Sequence, residues 1–185
     1  MPMDLFKNKY RIPSARLQSW DYSRAGLYFI TICTYNRAHF FGKITGGKMQ
    51  LSALGGIVEA EWLKTFEIRK DMNLLMGEFV VMPDHFHAII GIGDNDYNRT
   101  DAMHSIYAMH CVSMNPPNPP KNQFGPQSKN LASIIRGFKS SVTVAARRIN
   151  PDFQWQPRFH DHIIRNIESY HRISQYIIDN PTKMG

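Results

Sequence analysis

Apolar and β-branched side chains dominate residues 27–35, 74–82 and 85–92, and a shorter run at 49–51 follows the turn signal Gly46-Gly47. Each reads as a strand. Residues 54–69 instead place Leu54, Ile57, Val58, Trp62 and Phe66 at helical spacing behind the capping candidate Ser52. Strands interrupted by helices predict an α+β sandwich around an antiparallel sheet. The pattern dissolves between 93 and 130, where Asn115-Pro116-Pro117-Asn118-Pro119-Pro120 marks a Pro-rich, flexible insertion too long for an ordinary connection. Helical spacing resumes over 131–149 through Leu131, Ile135, Phe138, Val142, Ala145 and Ile149. The stretch 153–160 is aromatic and extended, and a last helix is expected over 166–180, ended by Pro181. Residues 1–185 are read as one domain.

Composition adds a direction. The chain carries a formal net charge of +7 together with eight Tyr, eleven Phe and three Trp. That balance favours an anionic partner with flat surfaces to stack, although charge alone does not separate nucleic acid from a membrane surface. The second predicted helix turns Arg136, Lys139, Ser140, Thr143 and Arg147 away from its apolar side. A solvated face and a phosphate-tracking face are equally good readings of that stripe. No apolar run reaches the roughly 18 residues of a membrane span and the first residues do not have the layout of a secretory signal, so a cytoplasmic protein is expected. Cys33 and Cys111 are too few and too far apart for a disulfide framework or a zinc knuckle. His104 and His110 sit with Cys111 in the insertion, without a second ligand pair at zinc-like spacing, and read as loop residues.

The candidate chemistry lies in His85-Phe86-His87. Two imidazoles two residues apart on a strand project from one face and form half a metal site. Ile89 occupies the position where His-x-His-x-Asp hydrolases need an acid and triple-histidine nucleotide hydrolases a third His, so a further ligand must come from elsewhere. On the last helix, Ile167, Tyr170, Ile173, Ser174, Ile177 and Ile178 define an apolar stripe, with Tyr176 and Asn180 one turn apart to its side. Tyr176 is then a candidate nucleophile and Asn180 a third ligand. The plainer alternative makes Tyr176 a surface tyrosine and Asn180 the residue before a helix-ending proline. Two imidazoles and an amide oxygen suit Mg²⁺ or Mn²⁺ with positions left for phosphate oxygens. No phosphate-cradling Gly-x-x-x-x-Gly-Lys-Ser/Thr loop is present.

The chain resembles the single-tyrosine HUH transposases, the insertion-sequence 200-like group, and within it the REP-associated tyrosine transposase branch. Five blocks carry the resemblance in order: Tyr28-Phe29-Ile30-Thr31 with Cys33-Thr34 and Arg37; Val81-Met82-Pro83-Asp84-His85-Phe86-His87; Phe138-Lys139-Ser140-Ser141-Val142-Thr143; Trp155-Gln156 with His162-Ile163-Ile164-Arg165; and Tyr176-Ile177-Ile178-Asp179-Asn180-Pro181. The resemblance implies a ferredoxin-like sandwich with helices on one face of the sheet. It also implies cleavage and rejoining of hairpin-containing single-stranded DNA through a 5′-phosphotyrosine on Tyr176, with the metal on His85, His87 and Asn180. DNA contacts are expected at Arg136, Lys139, Ser140, Thr143, Arg147, Arg158 and Arg165. Arg158-Phe159-His160 departs from a more tyrosine-rich stretch of the group, and Asn180 stands where Gln is common. Both monomer and homodimer fit, since insertion-sequence members share active sites between subunits and REP-associated relatives act within one chain. A domesticated module that binds hairpin DNA or RNA without cutting is the alternative, and an HUH replication initiator or relaxase a more distant one.

Overall fold

The structure, a computed structural model, describes residues 17, 20–98 and 128–183. Among the described residues, six strands and three α-helices follow in the order β1 (Gly26–Cys33), β2 (Gly42–Thr45), β3 (Lys48–Leu51), α1 (Ala53–Glu67), β4 (Leu74–Val81), β5 (His85–Ile92), α2 (Leu131–Ala146), β6 (His160–Ile164) and α3 (Ile167–Lys183). The main sheet has the order β4-β5-β1-β6, every neighbouring pair is antiparallel, and β2 and β3 form a separate hairpin. The α+β class with an antiparallel sheet is as expected. His104, His110, Cys111 and most of the Pro-rich insertion lie outside the described residues.

Strand β5 is buried along its whole length because it is covered on both faces. Its even-numbered residues Phe86, Ala88, Ile90 and Ile92 join Tyr28, Ile30 and Ile32 of β1 in the larger core, under Val58 and Trp62 of α1 and Ile134, Ile135, Phe138 and Val142 of α2. Odd-numbered Ile89 turns the other way, with Phe29, Val80 and Ile164, to meet Ile177, Ile173 and Tyr170 of α3. Helices therefore cover both faces, two on one side and α3 on the other, which amends the expectation of helices on one face. Alternation at period two is what divides the cores.

Local chemistry sets the helix starts. Ser52 Oγ accepts from the Gly55 amide at 3.1 Å and donates to the Phe40 carbonyl at 2.7 Å, so one hydroxyl starts α1 and ties it to the segment before β2. Gly55 is there because a Cβ would stand 2.2 Å from the Phe41 carbonyl oxygen. Asn130 and Ser133 form a reciprocal capping box on α2, and Asn166 Oδ1 accepts from the Ser169 amide at 2.8 Å on α3. Inside the larger core, Trp62 is fully buried with its ring 5.1–5.3 Å from those of Phe66, Phe86 and Phe138. Edge-on aromatic contacts of this kind add about 0.5–1.5 kcal/mol each beyond burial.

Three sequence expectations shift. Helix α2 ends at Ala146, leaving Ile149 beyond it and 55% exposed. Pro181 does not stop α3, which runs to Lys183. Its fixed φ is itself helical and the ring removes only one late amide donor, while Thr182 Oγ1 bonds to the Asp179 carbonyl at 2.7 Å. The buried face of α3 is Ser174, Ile177 and Asn180, with Tyr170 and Ile173 beside them, whereas Ile167 and Ile178 are exposed. Ser174 is on the apolar stripe as expected, Asn180 joins it, and the two outer isoleucines do not.

Candidate functional site

Because β5 alternates, His85 and His87 share the face that α3 covers. Register places them opposite Cys33 and Thr31 of β1. Both are nearly buried, at 4% and 6% exposure. The His87 ring stacks on Phe29 with centroids 5.2 Å apart, and Tyr176 of the same chain closes over both rings, 5.5 Å from His87 and 6.2 Å from Phe29. The Tyr176 hydroxyl lies 3.4 Å from His87 Nε2. One turn along α3, Asn180 is 4% exposed and its Oδ1 has no hydrogen-bond partner. A cavity of about 290 Å³ opens between Thr31, Arg37, His85, His87, Tyr176, Asn180 and Lys183. The four residues singled out for chemistry thus meet at one cavity.

The imidazoles are held differently. His85 Nδ1 is 2.6 Å from Asp84 Oδ1, and Asp84 Oδ2 accepts from Arg37 Nε at 2.8 Å. His87 Nδ1 is 2.8 Å from the Thr31 hydroxyl. Burial, together with the neighbouring His85, pushes the His87 pKa down to about 3, and burial also lowers that of His85 against the pull of Asp84. Both rings are therefore neutral near pH 7, the state in which an imidazole ligates. Asp84 holds one ring nitrogen of His85 and leaves Nε2 as the other. An orphaned buried amide oxygen costs about 1–3 kcal/mol unless something meets it, so the donor set of two neutral imidazoles and Asn180 Oδ1 fits a divalent cation. Among the described residues no three His, Cys, Asp or Glu side chains gather to form another such site.

Sequence reasoning missed the supporting groups Thr31, Asp84, Arg37 and Lys183. Arg37 is brought in by the short 3-10 turn Tyr35–Arg37 after β1, and Lys183 Nζ sits 6.0 Å from the Tyr176 ring centroid. Thr31 and Asp84 had one available signal, the register of β1 against β5 and of the tight turn before His85, which is visible only once the strands are paired.

The residues expected to meet DNA are spread over more than one region. Arg136 and Ser140 are exposed on α2, on the opposite face of the sheet from the two histidines. Lys139 is half-buried and committed, donating to the carbonyls of Gln156 and Arg158 at 2.8 Å each beneath the Trp155 ring, and burial pushes its pKa down to about 8. The Thr143 hydroxyl returns to the Lys139 carbonyl at 2.7 Å, and Arg147 Nε donates to the Phe153 carbonyl at 3.2 Å. Arg158 is exposed with φ +68°. Arg165 lines a separate cavity of about 690 Å³ with Arg172, His162, Tyr22 and Asn166, at the start of α3.

No protein-family profile matches the chain. An uncharacterised protein of Haemophilus influenzae is 36% identical over 173 residues, covering 91% of this chain and 87% of its own length. A second protein of that organism, named "Putative REP-associated tyrosine transposase", is 24% identical over 165 residues, covering 89% and 75%. Among solved structures, a REP-associated tyrosine transposase bound to a REP hairpin superposes with a TM-score of 0.55 at 20% identity, covering 96% of this chain and 74% of that one, a likeness of fold. Fold and sequence together define a transposase-type protein. The chain is similar over most of its length to a putative REP-associated tyrosine transposase and shares the fold of a solved one. No helix among the described residues is long and apolar enough to cross a membrane.

Proposed function

We propose that this protein cleaves and rejoins hairpin-containing single-stranded DNA, using Tyr176 as nucleophile and a divalent cation, Mg²⁺ or Mn²⁺, held by His85, His87 and Asn180. The observation that carries the reading is the convergence of Tyr176, the two neutral imidazoles and the unpartnered Asn180 oxygen on one cavity. A bound cation would draw charge from the scissile phosphate and from the departing oxygen. Helix α3 presents the phenol by packing Ile173 and Ile177 against the sheet, so the nucleophile is aimed by a rigid element. Tyr176 remains 42% exposed, which lets a strand reach it and lets its proton pass to solvent as it attacks.

In the first step the Tyr176 oxygen forms a bond to phosphorus and the P–O3′ bond breaks. The 5′ phosphate stays on the tyrosine and a 3′ hydroxyl leaves. A 3′ hydroxyl from another strand then attacks the same phosphorus and releases the phenol. One phosphodiester replaces another, so no nucleotide energy source is consumed. The fold neighbour was seen with a REP hairpin, which favours structured single strands of that kind as the substrate here.

The test is a denaturing gel of labelled hairpin single strands incubated with wild type and Tyr176→Phe, with Mg²⁺, Mn²⁺ or chelator. A protein–DNA adduct on the 5′-phosphate fragment is expected only with wild type and metal. Tight binding with no adduct across varied hairpins would instead support a module that holds DNA or RNA without cutting.

A further inference from the structure

We propose that Arg37 is a positioning residue that acts through Asp84 to fix His85 in one tautomer, with its proton on Nδ1 and Nε2 bare toward the cavity. The proposal rests on the metal-dependent reading of that site for its consequence, but not for its geometry.

Asp84 is 6% exposed and each of its carboxylate oxygens has a different partner, Oδ1 with His85 Nδ1 at 2.6 Å and Oδ2 with Arg37 Nε at 2.8 Å. An ionised carboxylate only accepts, so the short contact requires the proton on Nδ1. The backbone of Asp84 is pinned as well, its carbonyl lying 2.9 Å from both the amide and the hydroxyl of Thr34 at the end of β1. Arg37 does more than balance charge. Its Nε meets Asp84 while its terminal NH1 donates to Cys33 Sγ at 2.9 Å, so the planar fork is held at two points and can present Nε in one direction only.

The backbone supplies an independent sign. Asn36 and Arg37 are consecutive non-glycine residues in the left-handed region, with φ +51° and +56°. That conformation is unfavourable for arginine, and the fold keeps it where it delivers the guanidinium to Asp84 and to the cavity edge. His87 has no carboxylate behind it; its Nδ1 meets the Thr31 hydroxyl and its ring also bonds to the Ile30 backbone, both neutral groups. The two histidines are consequently unequal donors, with the carboxylate-backed His85 the stronger.

The experiment uses the full chain labelled with ¹⁵N-histidine. Long-range ¹H–¹⁵N spectra without metal read the His85 tautomer, and Mn²⁺ titration followed by electron paramagnetic resonance reads affinity, for wild type, Arg37→Ala, Arg37→Lys and Asp84→Asn. Wild type should show a single Nδ1–H form for His85. Arg37→Ala should give mixed tautomers and about tenfold or more weaker Mn²⁺ binding. Arg37→Lys should recover part of both, because an ammonium can still hold Asp84. Asp84→Asn should also mix the tautomers, and its small change of shape guards against a folding defect in Arg37→Ala. A wild-type His85 spectrum in folded Arg37→Ala would overturn the proposal, whatever Asp84→Asn shows. Were wild type to bind no Mn²⁺, the metal reading would fail alone, since the spectra still decide the role of Arg37.

Discussion

Asn180 carries a cost that the proposed metal site would offset. Its Oδ1 is buried without a partner, a liability no packing argument would select. Asn180→Leu should therefore keep or raise stability, by up to about 1 kcal/mol in urea titrations, while removing metal binding. His87 makes a second case, in pH. Its folded pKa near 3 lies below the ordinary unfolded value of about 6.5, so between these values the unfolded chain takes up a proton that the folded chain refuses. Stability is thus retained above about pH 6.5 and falls on acidification toward 3, with a slope approaching 1.4 kcal/mol per pH unit from this residue. In His87→Gln, denaturation curves across that range should show the acid slope reduced by nearly one proton. At this scale the sequence made the His pair legible, because strand periodicity alone puts 85 and 87 on one face. It hid Asp84 and Arg37. Neighbouring residues on a strand point apart, so Asp84 beside His85 does not suggest a contact until the turn between β4 and β5 is known, and Arg37 comes from 47 residues before Asp84.

At the scale of elements, the start of α1 concentrates several contacts in few atoms. Ser52→Ala loses a cap and the tie to Phe40 and should cost about 1–2 kcal/mol by chemical denaturation. Gly55→Ala should be destabilising, because its Cβ strikes the Phe41 carbonyl oxygen, whereas Gly56→Ala, where a Cβ meets nothing, should be neutral or stabilising in the same helix. The expected strands and helices were readable where apolar period and capping chemistry agreed, as at Ser52 and in β5. Amphipathicity is a poorer guide on α3. Isoleucine at 167 and 178 looks like core on a helical projection, yet α3 rests on a narrow strip of sheet and buries Asn180 instead. Pro181 misled because a helix in its final turn has one hydrogen bond to lose rather than a ladder.

For the molecule as a whole, the positive charge predicts salt-sensitive association with single strands, each phosphate contact adding about 0.7 to the slope of log affinity against log salt. Filter binding of a labelled oligonucleotide should show Arg165→Ala lowering that slope by about this amount with unchanged melting. Lys139→Ala should behave otherwise, reducing melting temperature, because its ammonium joins α2 to the carbonyls of Gln156 and Arg158. The sheet itself separates duties, with the aromatic core beneath α1 and α2 on one side and the candidate chemistry under α3 on the other. Phe86 stands at the border, between two histidines in sequence yet packed into Trp62 and Phe138. A β5 strand displaced by a single residue would push both imidazoles among the aromatic rings and expose the phenylalanine, a mispaired state with no compensating contact. Folding thus acts as a quality inspection for the candidate site: any molecule that reaches its stable state has already aligned its candidate ligands.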